Sequence, residues 1–467
     1  MFKRKKSIKR MQANVKTNQM KKTLSLWQLV AIGLGGIIGV GVFVLTGQVA
    51  HDYAGPGVAL SFIIAGLCSA AAALCYAEFS GLIPVAGSAY TYSYAVLGEF
   101  FAWFIGWDIL LEYTLVVSVV AIGWAGYFGS ILDVFGIHLP VWAQGAMGTG
   151  DGHVFNVLAF IVSMGMAILL SGGMKMAAKF NTWLVIIKIA AILLIIIAGS
   201  FFINKANWHP FMPHGFGGVM TGASIVFFAV FGYDTLTTAA EEAKNPRRDL
   251  PLAVMISLVI ALILYVCVTL VITGMVPLSV LGSAAPVADA FKVANLPWIG
   301  FIIAISAVVG ITSVIFSFLL GASRIWFSMS RDGLLPAYFS KLHAKYKTPH
   351  RTTLIVGLVS GTLAGLFPLG VISEMVNIGT LSAFFLICAS IIVLRVQQPN
   401  LPRKFKTPLV PFIPIVGMVS CLLLMIELPL GTWIRFIIWL AIGLVVYYTY
   451  GVHHSKVKAR LEQEKIG

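Results

Sequence analysis

The stretch GLGGIIGVG, residues 33–41, has five glycines in nine positions within an otherwise apolar segment. Glycine costs a helix interior about 1 kcal/mol relative to alanine, so this cluster predicts that a helix beginning near Trp27 breaks here. A second, looser cluster comprises Gly217, Gly218, Gly222 and Gly232. Paired breaks in corresponding segments are typical of transporters, where unwound backbone binds the substrate. Close packing of helices through small residues is the alternative for both clusters.

Composition identifies the chain as an integral membrane protein. Of its 467 residues, 59% are hydrophobic and 10% are charged, whereas soluble domains carry roughly 25% charged residues. A transmembrane β-barrel is excluded because its strands would alternate apolar and polar residues. The predicted fold class is all-α, with about twelve transmembrane helices. We number these spans 1 to 12, near 27–50, 56–83, 97–128, 155–173, 182–203, 218–240, 251–275, 298–325, 352–368, 372–395, 411–429 and 433–451.

Lysine and arginine are distributed unequally between the two sides of this predicted bundle. Of the 32 in the chain, 27 lie in the two tails and in the loops after spans 4, 6, 8 and 10. Only Lys205, Lys292 and Arg435 lie on the other side. The positive-inside rule therefore predicts a multi-pass protein of the plasma or inner membrane with both termini in the cytoplasm. The net charge of +15 is then explained by topology and membrane lipid, and no nucleic acid partner is expected.

Lys188 lies near the middle of an apolar run, residues 181–202. A cation at that depth costs several kcal/mol unless it faces protein or water and finds a partner. The same span offers no carboxylate at helical spacing. The candidate partners are therefore the hydroxyl pair Thr312 and Ser313 in span 8, or carbonyls freed by the break in span 1. We expect Lys188 to gain and lose a proton during transport; a fixed structural cation is the alternative.

Three carboxylates, Glu78, Glu112 and Asp234, also lie within predicted spans. Each would either bind substrate or a proton, or cap a broken helix or pair with a neighbour. The tyrosines of segment 90–94, between spans 2 and 3, are expected at the membrane interface. The histidines show no metal-ligand spacing, and neither a catalytic constellation nor a phosphate-binding loop is present in the sequence. We therefore expect neither an enzyme, nor a metal site, nor a cofactor.

Seven stretches together resemble the amino acid–polyamine–organocation (APC) superfamily, and within it the bacterial proton-coupled members of the cationic amino acid transporter family. They are GLGGIIGVGVF (33–43), YAEF (76–79), PVAGSAY (84–90), GWDILLEY (106–113), FFAVFGYD (227–234), AEEAKNP (240–246) and SRDGLLP (330–336). The later spans match mainly in length.

The resemblance implies a LeuT-type fold with broken spans 1 and 6. Spans 1–5, in residues 27–203, and spans 6–10, in residues 204–395, would form two inverted five-helix repeats. Two added helices would follow in 396–451. Cytoplasmic tails, 1–26 and 452–467, would flank this membrane domain.

The resemblance also implies where the substrate and the coupling ion bind. The residues that would bind the substrate carboxylate and amino group are Ile37, Ile38, Gly39, Val40, Gly41, Phe228, Ala229 and Phe231. The resemblance implies that Lys188 couples transport to protons. From the residues themselves, we assign Thr312 and Ser313 to the same proton-coupling site as partners of Lys188, with Glu112 and Asp234 as possible secondary sites. Lys188 would replace the sodium ion of sodium-coupled relatives.

Two positions depart from the family's pattern. The family often has threonine or serine where Val40 stands, and an aliphatic residue is expected where Phe231 stands. Both changes indicate a smaller or more apolar side-chain pocket. We therefore predict a secondary active, proton-coupled amino acid permease that takes up neutral, apolar amino acids, with the proton as coupling ion and no obligatory protein partner. An exchanger, a cationic amino acid or polyamine carrier, and an amino acid-binding membrane sensor are the alternatives.

Overall fold

The structure, a computed structural model, describes residues 4–8, 11, 24–85, 88–171, 174–238, 240, 243–344 and 348–459, without the side chains of 174–180. Most of the predicted N-terminal tail, the end of the C-terminal tail, and the motif positions 86–87 and 241–242 lie outside these residues. The described part is all-helical and contains no strand; Leu24 and Ala243 form an isolated bridge. The predicted fold class is confirmed.

Each of the twelve predicted positions holds a helix or a broken helix. Span 1 comprises Leu26–Ile37 and an outer half made of Gly41–Leu45, Thr46–Val49 and Ala50–Ala54. Span 6 comprises Gly215–Val226, Phe227–Ala229 and an inner half, Tyr233–Thr237. The unbroken spans are Val58–Leu82 (span 2), Glu99–Val134 (3), Val157–Ser171 (4), Met174–Ser200 (5), Pro246–Met275 (7), Pro297–Arg331 (8), His350–Leu366 (9), Leu369–Gln397 (10), Phe412–Ile426 (11) and Leu430–Val446 (12).

The helices have the lengths that a membrane requires. Eight helical stretches of the described residues are long and apolar enough to cross a membrane, and three further apolar helices are shorter. Large apolar side chains, including Trp183, Ile437 and Val445, are exposed on the outside of the bundle. Such a surface is stable only against lipid, so the chain is a multi-pass membrane protein.

Spans pack against partners five positions further along the chain. The first half of span 1 contacts the inner half of span 6, span 2 lies along span 7, span 3 along span 8, and span 4 along span 9. Two structural repeats facing each other would produce such pairing. The repeat boundaries at 203/204 and 395/396 remain predictions.

The breaks of spans 1 and 6 meet through bare backbone. A Cβ on Gly36 would lie 2.8 Å from the carbonyl oxygen of Gly232. Gly232 also has φ = +112°, a conformation that glycine adopts without strain. These glycines therefore both interrupt the helices and allow the two breaks to touch.

Both ends of the described chain lie at one end of the bundle, the terminal face. There the backbone N–H of Lys456 donates to the carbonyl of Asp332 (3.1 Å), and the Lys6 ammonium donates to the Asp332 carboxylate (2.6 Å). At the opposite end, the vestibule face, a cavity of about 600 Å³ opens beside spans 3 and 4 and is lined by residues such as Gln48, Gly129 and His153.

The prediction of interfacial tyrosines between spans 2 and 3 is wrong. Tyr90, Tyr92 and Tyr94 lie in a short helix, Ser88–Val96, and are fully buried. This connection folds inward against the bundle, and the Tyr90 hydroxyl donates to Asp332 at 2.6 Å. The sequence shows amphipathic rings near a span end but not that the connection turns back into the protein.

Candidate substrate and proton site

A closed pocket lies between the two breaks, walled by spans 3 and 8. Its lining residues are Gly36, Ile37, Gly39, Val40, Gly41, Val116, Val120, Phe228, Phe231, Val314 and Phe318. Its volume is about 10 Å³, about what one water molecule needs. An amino acid therefore enters only when the walls move apart.

Most of the predicted substrate residues line this pocket, and two do not. Ile38 turns its carbonyl to Lys188, and Ala229 packs its Cβ where a side chain on Gly41 would lie. The structure adds four apolar residues that sequence reasoning missed: Val116 and Val120 from span 3, and Val314 and Phe318 from span 8. In a sequence, apolar residues facing a pocket look like those facing lipid.

Side-chain hydroxyls stabilise the broken backbone. Tyr265 of span 7 donates to the carbonyl of Ile37 (2.8 Å), and Ser69 of span 2 donates to the carbonyl of Val230 (2.8 Å). Buried carbonyls without such partners would cost free energy. The outer half of span 1, residues 41–54, begins at the pocket wall. N–H groups at the start of a helix attract anions where they have no partner within it; here Val42 and Phe43 donate to the carbonyl of Gly39, so the N–H groups that precede them are the ones that suit an anion.

Lys188 fastens three elements together. Its ammonium donates to the carbonyls of Gly35 (2.9 Å) and Ile38 (2.6 Å) and to the hydroxyl of Ser313 (2.8 Å). Three acceptors use all three ammonium donors, and the side chain is fully buried. Span 8 makes room with Gly310, where a Cβ would lie 2.7 Å from the Lys188 Cβ. No carboxylate of the described residues accepts from Lys188.

The prediction that Thr312 contacts Lys188 together with Ser313 is wrong for Thr312. Its hydroxyl donates to the carbonyl of Val308 (2.7 Å) and accepts from the indole N–H of Trp124 (3.0 Å). Successive helical residues point about 100° apart. Because Ser313 faces Lys188, its neighbour faces span 3 instead.

The secondary candidates Glu112 and Asp234 are buried but do not belong to the pocket lining. Glu112 packs against span 10, where a Cβ on Gly379 would lie 3.7 Å from the Glu112 Cβ, and its Oε1 has no hydrogen-bond partner within the described part of the chain. Asp234 accepts from the hydroxyl of Tyr113 and lies at the first turn of the inner half of span 6. A carboxylate at a helix N-terminus stabilises that helix, so Asp234 has a structural role there, although its Oδ1 has no side-chain hydrogen-bond partner within the described part of the chain.

Glu78 belongs to an ion cluster at the terminal face. Its carboxylate accepts two hydrogen bonds from Arg395 (2.9 and 2.8 Å), lies 2.9 Å from Nε of Arg403, and accepts the backbone N–H of Thr407 (2.8 Å). These contacts attach span 2 to span 10 and to the loop that follows it. Of the alternatives for this residue, pairing with neighbours is the one observed.

A closed pocket between two broken helices in the middle of a membrane bundle is the architecture of a secondary transporter. The family model described as "Amino acid permease" matches residues 24–447. The chain belongs to this family, which is one of transporters and not of enzymes.

Curated relatives cover nearly the whole chain. The "Branched-chain amino acid permease BcaP" of Bacillus subtilis (strain 168) is 46% identical over 458 residues, 97% of this chain and 98% of the relative. The "Methylthioribose transporter" of the same strain is 44% identical over 452 residues, again 97% and 98%. "Cationic amino acid transporter 4" of Homo sapiens is 30% identical over 578 aligned residues, 97% of this chain and 91% of the relative.

Proposed function

We propose that this permease takes up neutral, apolar amino acids across the cell membrane, driven by protons, with the terminal face in the cytoplasm. The observation that carries the proposal is the pocket between the breaks. It combines helix-start backbone, which suits a carboxylate, with side-chain walls of valine and phenylalanine. BcaP is named for branched-chain amino acids, whose side chains match such walls.

The same pocket argues against a cationic substrate. None of its described lining residues carries a charge, and Glu112, the carboxylate that would pair with a cationic side chain, packs against span 10. A charged side chain buried among valines would lack compensation and would cost several kcal/mol. Neutral side chains have no such cost.

Proton coupling is supported by the contacts of Lys188. The charged form donates to the break of span 1 and to span 8, and a neutral amine would donate less to both. Coupling requires only that the two protonation states favour different conformations. A pH gradient would then shift the equilibrium between the two conformations by changing the protonation of Lys188.

The test uses purified protein in liposomes with an imposed pH gradient, alkaline inside, and labelled leucine, valine, alanine, arginine and putrescine. Methylthioribose joins the panel because one relative is named for it. We expect concentrative uptake of the neutral amino acids that collapses when a protonophore removes the gradient. Accumulation of arginine or putrescine would contradict the proposed preference for neutral side chains. Accumulation of methylthioribose and of no amino acid would contradict an amino acid substrate. Exchange without net uptake would contradict proton-driven symport, and binding without transport would indicate a sensor.

A further inference from the structure

Residues 4–8 and 11, the N-terminal segment, dock on the terminal face. Two backbone hydrogen bonds hold it to the connection before span 3: Glu99 N–H donates to the carbonyl of Arg4 (2.9 Å), and Lys6 N–H donates to that of Tyr94 (3.3 Å). Ile8 and Met11 are buried, with 5% and 9% of their surface exposed. The segment is therefore attached by backbone and apolar contacts before its charges are considered.

Two carboxylates and two aromatic rings receive its basic side chains. The Lys6 ammonium lies 2.6 Å from the Asp332 carboxylate, 4.6 Å from the ring centre of Tyr94 and 5.8 Å from that of Tyr90. The Arg4 guanidinium lies 3.2 Å from the fully buried Glu99 carboxylate. We call Tyr90, Tyr94, Glu99 and Asp332 the cation cradle. Aromatic faces and carboxylates both attract cations, and partly buried pairs are screened less than exposed ones.

The rest of the protein builds the cradle independently of the segment. Glu99 also accepts from the hydroxyls of Tyr447 and Ser455, and the backbone of Lys456 donates to that of Asp332. Burial, and then the charge of Asp332, raise the pKa of Tyr90, so its phenol keeps the proton that it donates to Asp332. The cradle thus has fixed walls from the starts and ends of spans 3, 8 and 12.

The same piece of chain is also fixed to the broken spans. Leu24, just before span 1, accepts the backbone N–H of Lys244 (2.9 Å) at the start of span 7. Twelve residues separate Met11 from Leu24. The chain therefore connects spans 1 and 7 to the cradle on spans 3 and 8, whereas opening of the terminal face requires the broken helices to move against spans 3 and 8.

We propose that the N-terminal segment is a latch: it binds the cation cradle while the terminal face is closed and leaves it when that face opens. The occupant is this chain's own basic segment, and the cradle is its recognition site. Weakening the contact makes opening of the terminal face more frequent and speeds the step that releases substrate on that side.

The first measurement is hydrogen–deuterium exchange of segment 4–11 in the full-length protein, in nanodiscs of phosphatidylcholine, which carry no net charge. Lys6→Ala and Asp332→Asn each should raise exchange of this segment by about two- to tenfold, the range expected for one partly buried pair. Hydrogen–deuterium exchange of the segment should be no faster in the double variant than in either single variant. Lys404→Ala, which removes an exposed cation elsewhere on the terminal face, is the matched control. Unchanged hydrogen–deuterium exchange of the segment, or full additivity of the two substitutions, would show that the pair of Lys6 and Asp332 does not hold the segment and would overturn the proposal.

The second measurement is exchange of internal for external labelled substrate in liposomes, and this part alone rests on the proposed function. Lys6→Ala and Asp332→Asn should raise the exchange rate about two- to tenfold, and Lys404→Ala should not. If the variants release the segment but the rate of substrate exchange is unchanged or lower, the segment docks without acting as a latch, and the proposal is wrong. If the wild type transports no substrate of the panel, the proposed function is wrong. Hydrogen–deuterium exchange of residues 4–11 still tests the docking in that case.

Discussion

At the scale of single residues, the proposed proton coupling depends on the contacts of Lys188. One ammonium joins two carbonyls at the end of the first half of span 1, those of Gly35 and Ile38, to span 8 through Ser313. Loss of a proton removes one donor and the charge, so the contact weakens and span 1 is freer to move against span 8. Under the proposed coupling, the difference in proton affinity of Lys188 between the two conformations would set its strength, at about 1.4 kcal/mol for each pKa unit.

Lys188→Ala should abolish accumulation driven by a pH gradient. With one proton per substrate, one pH unit supports about tenfold accumulation in the wild type, whereas the variant should only equilibrate. Ser313→Ala, which removes one partner but keeps the amine, should still accumulate substrate. The measurement is uptake into liposomes at matched protein incorporation. A variant that still concentrates substrate would make Lys188 a structural cation and Glu112 the next candidate.

Phe231 lines the pocket with an aromatic ring. Its ring packs edge-on against Phe228 and Phe318, with ring centres 5.7 and 6.1 Å apart. Phe231→Ile removes aromatic volume there, so larger neutral amino acids should compete for uptake about tenfold better relative to alanine. Phe436→Ile, a buried change on span 12, is the control. Equal competition profiles for the variant and the wild type would exclude Phe231 from the side-chain pocket.

At the scale of elements, the two broken helices work as a pair because their backbones touch. A Cβ on Gly41 would overlap the Cβ of Ala229 and would lie 2.9 Å from its Cα. Any side chain at Gly41 therefore pushes span 1 away from span 6 before it meets substrate. The glycine is required by the neighbouring helix as well as by the carboxylate proposed to bind there.

Gly41→Ala should remove the stabilisation that substrate gives, which is about 2.7 kcal/mol at a hundredfold excess over the dissociation constant. Ala229→Gly in the same protein should restore part of it by removing the colliding methyl group. Gly129→Ala, where nothing lies within 4 Å, should behave as wild type. The readout is thermal unfolding in detergent with and without substrate. Undiminished stabilisation of Gly41→Ala would show that the two breaks need not touch for binding.

The elements were predictable where one residue type has one physical consequence. Glycine clusters break helices, and a lysine among apolar residues needs partners, so the two breaks and the contact of Lys188 with span 1 followed from the sequence. The position of Val116 and Phe318 in the pocket lining was not predictable, because positions that face lipid and positions that face the pocket carry the same apolar side chains. Nor could the sequence decide between Thr312 and Ser313, since helix rotation depends on packing against spans 3 and 5.

At the scale of the whole molecule, the two faces differ. The vestibule face opens into a cavity of about 600 Å³. On the terminal face, the cation cradle, the N-terminal segment and the Glu78 cluster connect spans 2, 3, 8 and 10. The pocket lies between them with almost no free volume. This combination corresponds to a transporter accessible from the vestibule face and closed on the other.

Cysteine labelling in intact cells tests this asymmetry and the predicted orientation together. Gly129 lines the vestibule with nothing within 4 Å of a Cβ, so Gly129→Cys should fit and react with a membrane-impermeant maleimide in intact cells. Ser7→Cys, exposed on the N-terminal segment, should react only after permeabilisation if the terminal face lies in the cytoplasm, as the excess of lysine and arginine predicts. Both variants are made in a Cys267→Ser background, since the other four cysteines are buried. Labelling of Ser7→Cys in intact cells would reverse the orientation. If Gly129→Cys stays unlabelled even after permeabilisation, the vestibule is closed in the membrane and the accessible face is the one that carries the termini.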